Sequence, residues 1–417
     1  MRTSRPAAPA PAAGPAASRP VSAALIATVV LLTAIAPLAT DMYVPAFPDV
    51  ARELGTTATG VQLTLTTFFV GMAAGQLVGG PSSDQRGRRR PLLAATVVVL
   101  LASVACALAP TIALLGAARF VQGFAGGWAM VIARAVVVDL ASGSQLVRAL
   151  NLVQGAGGVA PIAAPLLGGV VLQFSTWRAP FWLIALITLV TLVVTHRVVP
   201  ESLPPERRHT GGLRTFATAA RDVLRSRDYV GYLVVSAAAM VALFAYVATS
   251  AFVLRGMNGL SPIAYAVAFA ANAGGMTVAA LVSARLAERV RTRTVVLCGQ
   301  LLALAAGVGM LVGALALGTP LLLSLACFSG LMVALGLIWG NAGALASAAV
   351  PQHPGTGSAV LGMAQWGTAG VAAPLAGLGG EGTAVPVAVM MTLGALVSLV
   401  ALLAVARPPY DAAGRAV

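Results

Sequence analysis

The sequence predicts an all-α membrane protein with twelve transmembrane helices arranged as two pseudo-symmetric six-helix bundles. Three observations carry this expectation. Hydrophobic residues make up 59% of the chain and charged residues 9%, where soluble chains carry about a quarter charged residues. The apolar residues come in blocks near the roughly 20 residues that cross hydrocarbon as helix, and open sheets cannot cross because their edges stay unpaired. A repeat, described below, divides the chain near its middle.

Residues 1–20 are Ala/Pro-rich, carry Arg2, Arg5 and Arg19, and read as a disordered cytoplasmic tail. A secretory signal is the competing reading, opposed by an apolar run from Val21 that continues past signal length. Twelve spans follow, at residues 22–45, 60–80, 92–110, 112–135, 149–172 and 179–199, then 230–254, 262–284, 294–317, 320–346, 357–379 and 384–406. The domains are accordingly a first bundle (21–199), a cytoplasmic linker (200–229), a second bundle (230–406) and a cytoplasmic tail (407–417). The linker opens with the stiff exit Pro200-Glu201-Ser202-Leu203-Pro204-Pro205. Leu213, Phe216, Ala220, Val223 and Leu224 then recur at helical spacing among Arg214, Arg221 and Arg225. This is either an amphipathic helix on the inner membrane face or a solvated connection.

The repeat pairs Ala163-Ala164-Pro165-Leu166-Leu167-Gly168 in span 5 with Ala372-Ala373-Pro374-Leu375-Ala376-Gly377 in span 11. At a similar offset, the acid and Arg cluster after span 2 has a weaker echo in Glu288-Arg289-Val290-Arg291-Thr292-Arg293. Two halves related by duplication follow, and transporters built this way hold substrate near the midplane between the halves.

Orientation comes from arginine, because all 26 basic residues are Arg and positive charge collects on the cytoplasmic side of short loops. With an inside N-terminus, only Arg52, Arg178 and Arg255 fall in outer loops, so both termini are expected in the cytoplasm of a bacterial cell (inner) membrane. The net charge of +14 is then a product of topology rather than of nucleic-acid binding, and the basic face can hold anionic membrane lipids. Cys106, Cys298 and Cys327 lie inside spans without disulfide or metal spacing. His196, His209 and His353 lie near inner loops without a catalytic constellation, which opposes an enzyme. No Gly-x-x-x-x-Gly-Lys-Ser/Thr loop is present, so energy must come from an ion gradient, with no cofactor or metal.

The densest charge lies in Gly80-Pro81-Ser82-Ser83-Asp84-Gln85-Arg86-Gly87-Arg88-Arg89-Arg90. Gly80 is expected to let the second helix pack closely at its inner end, and Gly87 to take a left-handed turn. Asp84 among arginines gives either a switchable ion-pair network or a topological anchor. Gly80, Asp84, Gly87, Arg88 and Arg89 resemble the signature after the second span of the major facilitator superfamily, with Ser82 in place of Leu and Gln85 in place of the first Arg. The resemblance implies a cytoplasmic latch that ties the halves together in one conformation and releases them in the other. Arg119, Gln122 and Gly123 resemble the superfamily's Arg-x-x-Gln-Gly motif. Pro161, Pro165, Gly168 and Gly169 resemble its antiporter motif, with Ala164 replacing a Gly. With Thr40-Asp41-Met42-Tyr43-Val44-Pro45, Trp177-Arg178-Ala179-Pro180-Phe181-Trp182 and Gly355-Thr356-Gly357-Ser358-Ala359, the chain resembles drug/proton antiporters of the Bcr/CflA type, the bicyclomycin and chloramphenicol resistance exporters.

That resemblance implies proton-coupled efflux of hydrophobic drugs by a monomer through alternating access; proton-coupled uptake or export of a metabolite by the same fold is the alternative. Arg119 inside a span costs roughly 2.5 to 3.5 kcal/mol, so it faces a cavity or a partner, either for proton coupling or held structurally by carbonyls. Asp41, just before Pro45 and Pro48, lies at the interface or approaches Arg119. A free Asp titrates near 3.9 and a nearby Arg lowers that, so proton exchange requires desolvation to dominate. Candidates for an apolar substrate cavity with a few polar groups are Tyr43, Phe68, Gln122, Gln154, Phe244, Tyr246, Asn272, Trp339, Asn341, Gln365 and Trp366. The aromatic residues are equally open to a packing role and the amides to joining helices.

Overall fold

A computed structural model describes residues 22–141, 160, 162–208, 213–286, 289–350, 352 and 354–406. The expected tails 1–20 and 407–417, together with Gln154, Pro161 and Glu288, lie outside the described residues. No strand occurs among the described residues. The helices are α1 (Ala23–Asp41), α2 (Phe47–Glu53), α3 (Ala58–Arg86), α4 (Arg89–Leu108), α5 (Ile112–Leu140), α6 (Ile162–Phe174), α7 (Ala179–Val198), α8 (Leu213–Arg225), α9 (Arg227–Ala251), α10 (Pro262–Leu286), α11 (Thr292–Ala316), α12 (Leu321–Ala348), α13 (Pro354–Ala376) and α14 (Val385–Val400). Among the described residues ten segments are long and apolar enough to cross a membrane, the joined α1–α2 run Ala23–Glu53 among them. α6 and α13 stand where spans five and eleven were expected.

The starts of these helices are written in short side chains. Ser22, Thr57, Thr111 and Ser226 each accept from the backbone N–H three residues on, at 3.2 to 3.3 Å, which satisfies donors a helix cannot satisfy itself. α1 stops at Asp41, short of the expected residue 45. Pro45 and Pro48 lack an amide hydrogen, so the chain turns through a short 3-10 segment, Val44–Ala46, before α2 begins.

Within the first group of helices α5 contacts α1, α3 and α4, and α7 contacts α1 and α4; within the second, α9 and α11 contact α12 and α14, α10 contacts α12, and α13 contacts α9. The main contact between the groups is α3 against α13. α3 and α5 meet backbone to backbone, because a β-carbon on Gly71 or Gly75 would collide with Phe120 or Phe124, and one on Gly123 or Gly127 with Phe68 or Met72. The close contact expected of Gly80 is corrected: Gly80 faces open space, and Gly79 is the residue pressed against Trp128 and Val131. One residue is about 100° of helix rotation, enough to turn a position off the packed face. Large apolar side chains such as Leu101, Leu186, Val278, Leu315 and Leu322 are exposed on the outside of the bundle, where lipid rather than water would meet them. The linker does carry a helix, α8, which packs on α13 and α9 with Val223 buried and Leu224 exposed.

Candidate functional site

A cavity of about 280 Å³ lies between the two groups. α1, α3 and α5 wall it on one side, and α9, α10, α12 and α13 on the other. Phe68, Phe69, Phe244, Phe269, Trp339 and Trp366 give it an aromatic lining, and Thr33, Thr40 and Thr277 add hydroxyls. The rings interlock across the divide: Phe69 lies 4.4 Å from Phe244 and 5.5 Å from Trp366, centroid to centroid. Two charged residues complete the wall, Asp41 and Arg134.

Asp41 is the last residue of α1, 8% exposed, and its Oδ1 accepts from Thr40 Oγ1 at 3.1 Å. Arg119 is fully buried. Its Nη1 donates to Ala39 O at 3.0 Å and to Gln122 Oε1 at 2.7 Å, and its guanidinium carbon lies 4.2 Å from the centre of the Phe68 ring and 5.2 Å from that of Tyr43. Among the described residues no ion pair joins Asp41 to Arg119. Arg119 meets a carbonyl rather than the Asp41 carboxylate because of the way α1 ends. Met42 N–H goes to Leu38 and Tyr43 N–H to Thr40, leaving the Ala39 carbonyl, one of the last of its helix, to draw the cation. Arg119 therefore clamps the end of α1, two residues before Asp41, from inside the first group.

The remaining candidates divide. Phe68, Phe244, Trp339 and Trp366 line the cavity. Tyr43 and Gln122 do not: the Tyr43 hydroxyl pairs with Thr64 at 3.2 Å, and Gln122 Nε2 donates to Ser103 at 2.8 Å, so both belong to the core of the first group. Asn272 joins three helices, donating to Tyr246 at 3.2 Å and accepting from Ser329 at 2.6 Å. Asn341 donates to Ser283, joining α12 to α10. Gln365 is half-buried on α13, outside the cavity wall. In α6, Pro165 is buried, and the two glycines of its motif lie back to back between elements: a β-carbon on Gly168 would strike the Met42 backbone, and one on Gly169 would strike Ala266 and Pro262. α6 thus wedges between the end of α1 and the start of α10.

The two ends of the bundle are bonded differently. At the end that holds Asp84, Arg88 Nε donates to Asp139 at 3.0 Å, and Arg88 Nη1 donates to Ser83 at 2.7 Å and to Asp84. Glu201 accepts from the amides of Arg88 (2.7 Å), Leu203 (3.1 Å) and Arg89 (3.3 Å), Ser202 donates to Asp139 at 2.8 Å, and Arg89 donates to His196 O at 2.8 Å. Gly87 has φ +87°, and a β-carbon there would press on the Glu201 carboxylate and Arg208. Burial opposes the Arg88 charge, but the hydrogen bond and charge of Asp139, then those of Asp84, outweigh it and hold the guanidinium above its ordinary range. At the opposite end the bonds cross between the groups. Arg255 donates to Asp49 at 3.0 Å and to Pro45 O, Gln62 Nε2 to Ala248 O at 3.0 Å, and Thr59 to Gly377 O at 2.6 Å.

Sequence reasoning missed Arg134, although its signal was the one that flagged Arg119, an arginine inside a predicted span. It also gave Glu201 and Asp49 no part in holding the ends, because their partners lie more than a hundred residues away in sequence.

Residues 29–374 match the Major Facilitator Superfamily. The chain is 31% identical over 373 residues to YdgK, an uncharacterized MFS-type transporter of Bacillus subtilis (strain 168), covering 89% of this chain and 92% of that one. It is 29% identical over 374 residues to a bicyclomycin resistance protein homolog of Haemophilus influenzae, covering 89% and 93%. Among solved structures, a bacterial homolog of the human lysosomal transporter Spinster, in its inward-facing and occupied conformation, aligns with a TM-score of 0.72 at 13% identity over 92% of this chain and 96% of that one. At that identity the likeness is one of fold.

Proposed function

We propose that this chain, which belongs to the major facilitator superfamily and is therefore a multi-pass membrane transporter of small molecules rather than an enzyme, exports hydrophobic drugs or related molecules in exchange for protons. The observation that carries the reading is the aromatic cavity shared by both groups of helices, with the Asp41 carboxyl on its wall. Gly168 of the antiporter-like pair in α6 packs against the backbone of the residue after it, and a bicyclomycin resistance protein homolog is among the relatives.

In this reading the Asp84 end faces the cytoplasm, with both termini, because arginine concentrates there. The membrane is the bacterial cell membrane and the working unit a monomer. Residues 21–199 and 230–406 move as two bodies joined by the linker 200–229, with Gly80, Asp84, Gly87, Arg88 and Arg89 as the latch. The outer end is closed by Arg255, Gln62 and Thr59, so the cavity exchanges with the cytoplasmic side. Substrate enters against the aromatic wall and favours loss of the Asp41 proton to the cytoplasm. After reorientation, substrate leaves outward and Asp41 takes up a proton from outside. Arg119 and Gly168 hold the backbone on either side of Asp41, so a change in that carboxyl's charge is transmitted to α5 and α6.

A drug-susceptibility panel in a pump-deficient host identifies the substrate, and uptake of that labelled substrate into inverted vesicles with an imposed pH gradient tests the coupling. Acid-interior vesicles should accumulate it, and Asp41→Asn should cut gradient-driven accumulation about tenfold or more, a loss of roughly 1.4 kcal/mol or more of coupling. Full pH-driven transport by Asp41→Asn would overturn the reading.

A further inference from the structure

Arg134 lies six residues before the end of α5, and its side chain is exposed into the cavity, on the same face as Met130 one turn earlier. A charge inside a span is costly and requires a partner or water. Arg119, on the same helix, has Ala39, Gln122 and an aromatic face. Arg134 has none of these: among the described residues it takes part in no ion pair and donates no hydrogen bond. Two acids at its end of the bundle are occupied, Asp139 by Arg88 and Ser202 and Asp84 by Arg88.

Position along the bundle separates Arg134 from the other charge of the wall. Arg119 bonds at the level of Ala39, and 15 residues of helix rise about 22 Å. Arg134 therefore stands about 20 Å nearer the Asp84 end than Arg119 does, well away from Asp41, and the interaction of two charges falls with their separation. A carboxylate engaged there need not stabilise the proton on Asp41, so an anionic substrate remains compatible with exchange for a proton. What the cavity presents is a planar five-donor cation in a wall that is otherwise largely apolar and aromatic, with Trp339, Met276 and Thr277 in the same lining. A carboxylate matches that fork with two parallel hydrogen bonds, whereas a cation is repelled and a neutral molecule leaves it to water.

We propose that the substrates are amphipathic organic anions, whose carboxylate is captured by Arg134 while an aromatic or alicyclic body enters the ring-lined cavity. This rests on the export reading for the direction of transport but not for the site.

The test is titration calorimetry on the purified full-length protein with naphthylacetate and naphthylacetamide, which share a ring system and differ in charge. The wild type should bind the carboxylate about tenfold or more tightly than the amide, the expectation for a charge-assisted pair. Arg134→Gln should erase that preference, and Arg134→Lys, which keeps the charge but not the fork, should retain part of it. Equal binding of the two probes to the wild type, binding of neither, or an unchanged preference in Arg134→Gln overturns the proposal; the wild-type comparison and Arg134→Lys decide the matter even if Arg134→Gln fails to fold. No gradient is present, so the two readings fail separately. Proton-driven export of a neutral drug with no carboxylate preference sinks the anion site alone, and an Arg134-dependent preference without proton-driven transport sinks the export reading alone.

Discussion

The Asp84 end and the Asp49 end of the bundle both consist of arginines facing carboxylates, yet they join different things. At the first, Arg88 reaches Asp84, Ser83 and Asp139, and Glu201 gathers three amides, all within residues 83–203. At the second, Arg255 of the second group reaches Asp49 and the Pro45 carbonyl of the first. The denser charge cluster stiffens one group of helices, and the sparser one holds the two groups together. Sequence distance explains the difference. Arg88 finds an acid four residues back on its own chain, whereas Asp49 has Arg52 close by, largely exposed and 3.6 Å away, and takes its better partner from 206 residues further on.

The strongest test of this contrast is Arg255→Ala. It removes two hydrogen bonds, one to a charged group, from a side chain 11% exposed facing an Asp49 side chain 31% exposed. Bonds of this kind contribute about 1.5 to 3 kcal/mol each when buried, less here because Asp49 is partly screened. Spin labels placed on α2 and on the segment after α9 should report a shift of about tenfold or more toward separation of that end. An unchanged distance distribution would mean that helix packing alone closes it.

Arg88→Ala should do the reverse, lowering the thermal midpoint in detergent by the equivalent of about 1 to 3 kcal/mol while leaving the same distance distribution in place, because its partners lie in one group. The effect should also be flat from about pH 6 to 9 with respect to Arg88 itself. A cation held above its ordinary range contributes fully below the ordinary arginine range and loses that contribution only as pH rises through the folded value, far above this window. A large distance change with Arg88→Ala would erase the distinction between the ends.

The legible and illegible parts of the molecule divide along a physical line. The apolar spans, the positive-φ Gly87 and the linker helix depend on local composition and backbone sterics, and among the described residues ten such spans, that glycine and that helix are present. Which of Gly79 and Gly80 touches a neighbour depends on a helix rotation that periodicity in so apolar a chain does not fix. The Arg119 partner depended on the residue at which α1 breaks, and a shift of four residues moved the cation from a carboxylate to a carbonyl. Glu201 read as part of a stiff exit because its amide partners sit 113 and 112 residues earlier.

A smaller effect is expected at the turn itself. Gly87→Ala places a β-carbon at φ +87° against the Glu201 carboxylate. With ψ 167° the residue lies in a backbone region essentially reserved to Gly, which costs an L residue about 1 to 3 kcal/mol, and Glu201 is a flexible acid that can yield. The thermal midpoint should fall by less than in Arg88→Ala, again without separating the other end. A fall exceeding that of Arg88→Ala would show that the amides held by Glu201, rather than the Arg88 ion pairs, hold the turn together.

The smallest and most discriminating change is Gln62→Leu. Gln62 donates to Ala248 across the groups at 3.0 Å, but its own Oε1 is buried without a partner, against Gly377. Replacement by an apolar residue of similar volume removes a bond worth about 1 kcal/mol and also an unsatisfied oxygen that costs about as much. The two terms oppose each other, so the spin-label distribution should move by less than about threefold. If Gln62→Leu separates that end as fully as Arg255→Ala does, the closure is a cooperative seam in which any polar contact is decisive. If it moves little while Arg255→Ala moves much, closure rests on the single charge pair, and the comparison between the two ends reduces to whether an arginine finds its acid on its own group of helices or on the other.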